Sequence, residues 1–168
     1  MDLIDEILDD WHRERPEIDI SGKAVACRLL RCHTFFIAAL EKSLAPLGIS
    51  PNMFSVLVTI RRKGRNAEIT AKKIMEEALV TSGATSNLIN KLISMRLITK
   101  RKAKGKEDSR FVFIKLTPEG RELIDRAMLI QAACERKVTA RLSKAENEQL
   151  STLLKKVQQE EVYSYADD

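Results

Sequence analysis

Between Ile69 and Leu116 the hydrophobic pattern changes twice, from two short helical repeats to a strand-like ribbon, and few folds accommodate that order. Thr70 carries a hydroxyl that can accept from a free amide of a first helical turn, and Ile74 and Ala78 then repeat at helical spacing, which predicts a short support helix. The segment Val80-Thr81-Ser82-Gly83 interrupts the pattern. Beyond it Ala84, Leu88, Leu92 and Met95 form an apolar stripe on a second helix. The opposite face holds Ser86, Asn87, Asn90, Lys91 and Ser94. Their short hydroxyl, amide and ammonium groups are the kinds that meet base edges and phosphates when a helix lies in a major groove. Leu97–Lys100 and Arg110–Leu116 follow, rich in β-formers on either side of a charged segment containing a glycine, as in a hairpin with an exposed tip.

Charge supports the same reading. From Arg96 to Lys115 there are eight Lys or Arg and two acidic residues, Glu107 and Asp108. Such a local excess suits counterion release on a phosphate backbone. A solvated hairpin would carry the same charge; the order of helix, turn, polar-faced helix and basic hairpin is what points to nucleic acid. The whole chain is only mildly basic, with 29 Lys or Arg against 24 Asp or Glu. Its acidic groups gather at the ends, in Asp2, Asp5, Glu6, Asp9 and Asp10 and in Glu160, Glu161, Asp167 and Asp168, which leaves the middle positive.

A chain of 168 residues can bury one core without disulfide or metal support. It contains no run of about eighteen apolar residues and begins acidic, so a cytoplasmic location and no membrane partner are expected. Three cysteines without a CxxC pair argue against a disulfide framework and a structural zinc site, and two histidines, His12 and His33, are too few for a His-based centre. No metal and no cofactor are expected. An enzyme is disfavoured as well. There is no Gly-rich phosphate loop, no Ser-His-Asp ordering, and no paired carboxylate on an apolar face.

The flanks read as helices. Leu3, Ile4, Ile7, Leu8 and Trp11 make an amphipathic segment ended by the Arg15-Pro16 bond. Ser21–Leu44 is a long helix closed by Pro46-Leu47-Gly48. Ser50 and Pro51 open a core helix containing Met53, Phe54, Val56, Leu57 and Ile60, which ends in Arg61-Arg62-Lys63-Gly64. Thr117-Pro118-Glu119 begins a helix that continues to about Arg141, and the capping box Ser143-Lys144-Ala145-Glu146 begins the last one. The apolar stripe of this hairpin exceeds what one small lobe covers. With the N-terminal helix it most simply builds a twofold dimer, which sets two recognition helices about one DNA turn apart. Within Ser21–Leu44, Cys32 stands between Arg31 and His33, where a thiol can become reactive, although an inert buried cysteine is the commoner state.

Asp108, Arg110, Leu116, Thr117 and Gly120 match the Asp-x-Arg and Leu-Thr-x-x-Gly signature of the wing in the MarR family of bacterial transcription regulators, which this chain resembles over most of its length. The resemblance implies a mainly α fold with a small β-hairpin wing (α+β). It implies a single domain over residues 1–168, with a helical dimerisation region at 1–48 and 118–168 and a winged helix-turn-helix lobe at 49–117. The fragment Trp11-His12-Arg13-Glu14-Arg15-Pro16 looks like the N-terminal extension of the urate-responsive PecS branch, whose tryptophan lines a ligand pocket. Trp11, Arg28 and Arg31 are the ligand contacts this implies, for a small aromatic or phenolic effector. Where that branch has an Asp after the Phe of the core helix and an Arg in the recognition helix, this chain has Ser55 and Leu88, and loss of both polar partners argues against a purine anion.

The implied function is a sequence-specific transcription regulator, a ligand-responsive repressor that binds a pseudo-palindromic operator in double-stranded DNA as a homodimer. Ser82, Thr85, Ser86, Asn87, Asn90 and Lys91 would face the major groove, and Arg110, oriented by Asp108, the adjacent minor groove. Lys100, Arg101, Lys102, Lys104 and Lys106 would contact phosphates. Two other readings stand beside it: a redox-responsive regulator acting through Cys32 or Cys27, and a winged-helix module that binds DNA without strong sequence preference.

Overall fold

The computed structural model describes residues 2–78, 82–102 and 112–158, with the side chains of 82–85 excepted. The expected contacts Lys104, Lys106, Asp108 and Arg110 lie outside these residues, as do the side chains of Ser82 and Thr85. The chain divides into two compact units, Met1–Gln131 and Ala132–Asp168.

The first unit runs α1 (Leu3–Glu14), α2 (Lys23–Leu44) with a 3-10 turn at Ala45–Leu47, α3 (Pro51–Arg61), β1 (Ile69–Thr70), α4 (Ala71–Glu77), α5 (Ser82–Ser94), β2 (Ile98–Lys102), β3 (Val112–Leu116) and the larger part of α6 (Pro118–Val138). Local chemistry sets most of these boundaries. The Asp2 carboxylate accepts from the amides of Ile4 and Asp5 and so caps α1, and the helix stops just ahead of Pro16. Ser50 accepts from the Met53 amide at 3.2 Å with Pro51 in the first turn of α3. Past the end of that helix Gly64 takes φ +124°, a conformation that side chains oppose.

The core joins α2, α3, α4, α5, the sheet and α6. Leu44, Val56, Leu57, Ile74, Leu92, Ile114 and Ile124 are all completely buried in one cluster. Each side chain of this size stabilises the fold by about 1.5–3 kcal/mol through removal of apolar surface from water.

The ribbon gains a strand beyond the two that the sequence suggests. The sheet order is β1-β3-β2, antiparallel throughout, with Ile69 opposite Ile114 and Thr70 opposite Phe113. Thr70 thus has two functions: it closes the ladder, and its hydroxyl caps α4 by accepting from the Lys73 amide at 3.1 Å. In β2 and β3, Ile98 pairs with Leu116, Lys100 with Ile114 and Lys102 with Val112, all on one face, while Thr99 and Arg101 sit on the other with Lys115 and Phe113.

In the second unit α7 (Lys144–Val157) starts at the expected capping box, where Ser143 and Glu146 satisfy each other's backbone amides. The preceding helix ends at Val138, three residues short of the sequence expectation. No residue of α7 is buried, and Leu150, Leu153 and Val157 are exposed. No single described helix is long and apolar enough to cross a membrane.

Candidate nucleic-acid interface

The α5 helix is two-faced. Ile89 and Leu92 point into the core with Leu88 and Met95 packed against it, while Ser86, Asn87, Asn90, Lys91 and Ser94 are exposed along one stripe. The apolar side is therefore centred on Ile89 and Leu92, and Leu88 is one of its packing residues. The helix closes with Arg96 in the left-handed region at φ +59°, the Arg96 amide donating to the Ile93 carbonyl and the Leu97 amide to Leu92. This is the usual way to stop a helix, but glycine normally fills that position.

Two acidic side chains that sequence reasoning passed over hold the surroundings of α5 in place. Glu77, at the end of α4, accepts from Arg62 at 2.7 Å and from Lys63 at 2.8 Å, and Lys73 lies 3.3 Å away. Arg62 also donates to the Glu77 carbonyl oxygen. Hydrogen bonds from Lys63, and then from Lys73 and Arg62, push the Glu77 carboxyl from the ordinary 4.5 to about 2. The end of α3 is in this way pinned to the end of α4, immediately before the segment that leads into α5.

Glu68, just ahead of β1, accepts from Arg101 Nε at 2.9 Å and from a terminal guanidinium nitrogen, and this bonding lowers its carboxyl below the usual glutamate range. The Arg101 guanidinium also lies 4.8 Å from the centre of the Phe113 ring. Arg101 thus reaches across the outer face of the sheet and ties all three strands together. Lys100 and Lys102 remain exposed on the opposite face.

The start of α6 locks onto the α5–β2 turn. Thr117 donates through its hydroxyl to the Arg96 carbonyl at 2.8 Å and through its amide to Leu97 at 3.0 Å, while accepting from the Gly120 amide. A Cβ on Gly120 would stand 1.9 Å from the Leu97 carbonyl oxygen, so only glycine fits the crossing. This is the physical content of the Leu-Thr-x-x-Gly pattern.

The expected ligand residues have separate partners. Trp11 is exposed at the end of α1, with the Lys23 ammonium 5.2 Å from its ring. Arg28 contacts the carboxylates of Asp2, at 3.2 Å, and Asp5, and thereby fastens α1 to α2. Arg31 stacks on Phe35 at 5.0 Å. Cys32 is exposed, Cys27 half-buried and Cys134 buried. Among the described residues no group of three or more His, Cys, Asp or Glu could hold a metal ion.

Residues 39–127, more than half of the chain, match the family model described as transcriptional regulator SarA/Rot. The HTH-type transcriptional regulator PecS of Dickeya dadantii is 27% identical over 155 residues, covering 92% of each chain. Among solved structures, a mutant MarR from E. coli complexed with operator DNA superposes with a TM-score of 0.72 at 24% identity, over 89% of this chain and 98% of that one. BpsR of Bordetella bronchiseptica, whose DNA binding is regulated by 6-hydroxynicotinic acid, gives 0.71 at 20% identity, over 80% and 98%.

Proposed function

Because this chain belongs to the SarA/Rot family of transcriptional regulators and has the MarR-type winged-helix fold, we propose that it is a homodimeric, sequence-specific repressor that reads a pseudo-palindromic duplex. No catalytic step belongs to this reading, and it implies action in the cytoplasm. The observation that carries it is the exposed stripe of Ser86, Asn87, Asn90 and Lys91 on a helix whose apolar side is set into the core and whose exit is fastened by Thr117. Side chains fixed on a rigid element can select bases, because each contact is made without reordering the backbone. Lys100 and Lys102 contact phosphates together with Lys104 and Lys106, while Arg110, oriented by Asp108, reaches the adjacent minor groove. Arg101, held by Glu68, belongs to the same set of phosphate contacts.

The likeness to BpsR supports a small-molecule response, and we assign the effector contact to the face around Trp11, Arg28 and Arg31. Domain roles follow from the same reading: residues 49–117 bind DNA, and 1–48 with 118–168 pair the protomers.

Gel-shift titrations over a range of salt test the assignment. Asn90→Ala is expected to cost about 1–3 kcal/mol at the cognate operator and to relax sequence preference, whereas Lys100→Ala weakens all duplexes alike and lowers the salt slope by about one. Equal effects of both variants on cognate and random DNA would remove α5 as the reading element.

A further inference from the structure

At the base of the wing, away from the α5 stripe, a pocket of about 350 Å³ opens between the turn after α3, the outer face of β2 and β3, and the first turn of α6. Its size falls at the lower end of the range for small-molecule sites, roughly 300–1,000 Å³. Ile60 and Leu116, both buried, supply apolar lining. Its charge is one-sided: Arg65, Lys115 and Arg121 line it and no carboxylate does.

Neighbouring carboxylates compensate these cations only in part. Arg121 Nε is buried and has no hydrogen-bond partner. Lys115 lies 3.9 Å from Glu68, but that carboxylate is held by Arg101. Asn66 and Thr99 add short polar groups at the rim, and the pocket abuts the N-terminal, positive end of the 21-residue α6. Leaving a buried donor of a charged group unpaired is unfavourable, and an anion that meets the same guanidinium through its pocket-lining atoms offsets part of that cost. Arginine forks match the paired oxygens of carboxylate and phosphate.

We propose that this pocket is a binding site for a small anion bearing phosphate or carboxylate groups, held by Arg121 and Arg65 with Lys115 as the third charge. It is separate from the α1–α2 face where Trp11 lies. Its use as an effector site rests on the regulator reading above, whereas the binding itself does not, and a measurement without DNA separates the two.

Isothermal calorimetry of the full chain with inorganic phosphate, pyrophosphate and citrate, in a buffer free of other multivalent anions, provides that measurement. At least one probe is expected to bind with one site per protomer, and the probe that does so identifies the anion class. Arg121→Gln should weaken it at least tenfold. Arg65→Gln, in a surface turn where folding is not at stake, should do the same, while Arg13→Gln on α1 leaves affinity unchanged. Absence of binding by all three probes would overturn the proposal. So would undiminished binding in both pocket variants, or an equal loss in Arg13→Gln.

Discussion

Arg101 and Glu68 are 33 residues apart in sequence, and their meeting across the sheet gives an arginine that reads as a phosphate contact an acidic partner inside the fold as well. A run of cations shows how many charges there are but not which face of a strand each occupies. The two-residue periodicity separates Lys100 and Lys102 from Arg101, and the acidic partner comes from a segment with no recognisable motif. Gly120 shows the opposite case. Its place in the Leu-Thr-x-x-Gly pattern is legible, and the structure supplies the reason in the approach to Leu97. Gly120→Ala is therefore expected to lower the unfolding free energy by about 3 kcal/mol, since a Cβ there forces backbone to move. A chemical denaturation curve measures this, and a midpoint equal to that of the parent chain would contradict the crossing.

At the level of elements, the helices with local stop and start signals were readable. Ser50-Pro51 and Ser143–Glu146 fix where α3 and α7 begin because the capping partners lie within three residues. The two-residue β1 escapes notice because it is too short to alternate and exists only through its pairing with β3. The polar face of α5 was readable, whereas the pocket of Arg65, Lys115 and Arg121 was not, since its three cations come from three different elements. The α3–α4 clamp yields a pH dependence. The Glu77 carboxyl is held at about 2 instead of 4.5, so its ionised form is favoured in the folded state, and the stabilisation is complete above the ordinary value. It is lost as pH falls from about 4.5 through about 2. Thermal melts across that window are expected to show a declining midpoint for the parent chain and a shallower decline for Glu77→Gln. Identical slopes would mean that Arg62 and Lys63 do not discriminate the charged form.

On the scale of the molecule, large apolar side chains remain exposed on several helices. Leu30 and Phe35 on α2 are 69% and 60% exposed, and Leu129 on α6 is 73% exposed. Isolated exposed leucines are ordinary, but this number of large ones on long helices suits burial against a second protomer. The chain is expected to sediment as a dimer. The double variant Leu30→Glu with Phe35→Glu should shift it toward the monomer and weaken operator binding by roughly tenfold or more, since two half-sites then no longer act together. A variant that stays dimeric would move the interface elsewhere. The contact of Gly120 with Leu97 has a mechanical consequence for such an assembly. With no slack at that crossing, it behaves as a fulcrum: a tilt imposed on the first turn of α6 passes through one peptide unit into the exit of α5, without being absorbed by a compliant loop.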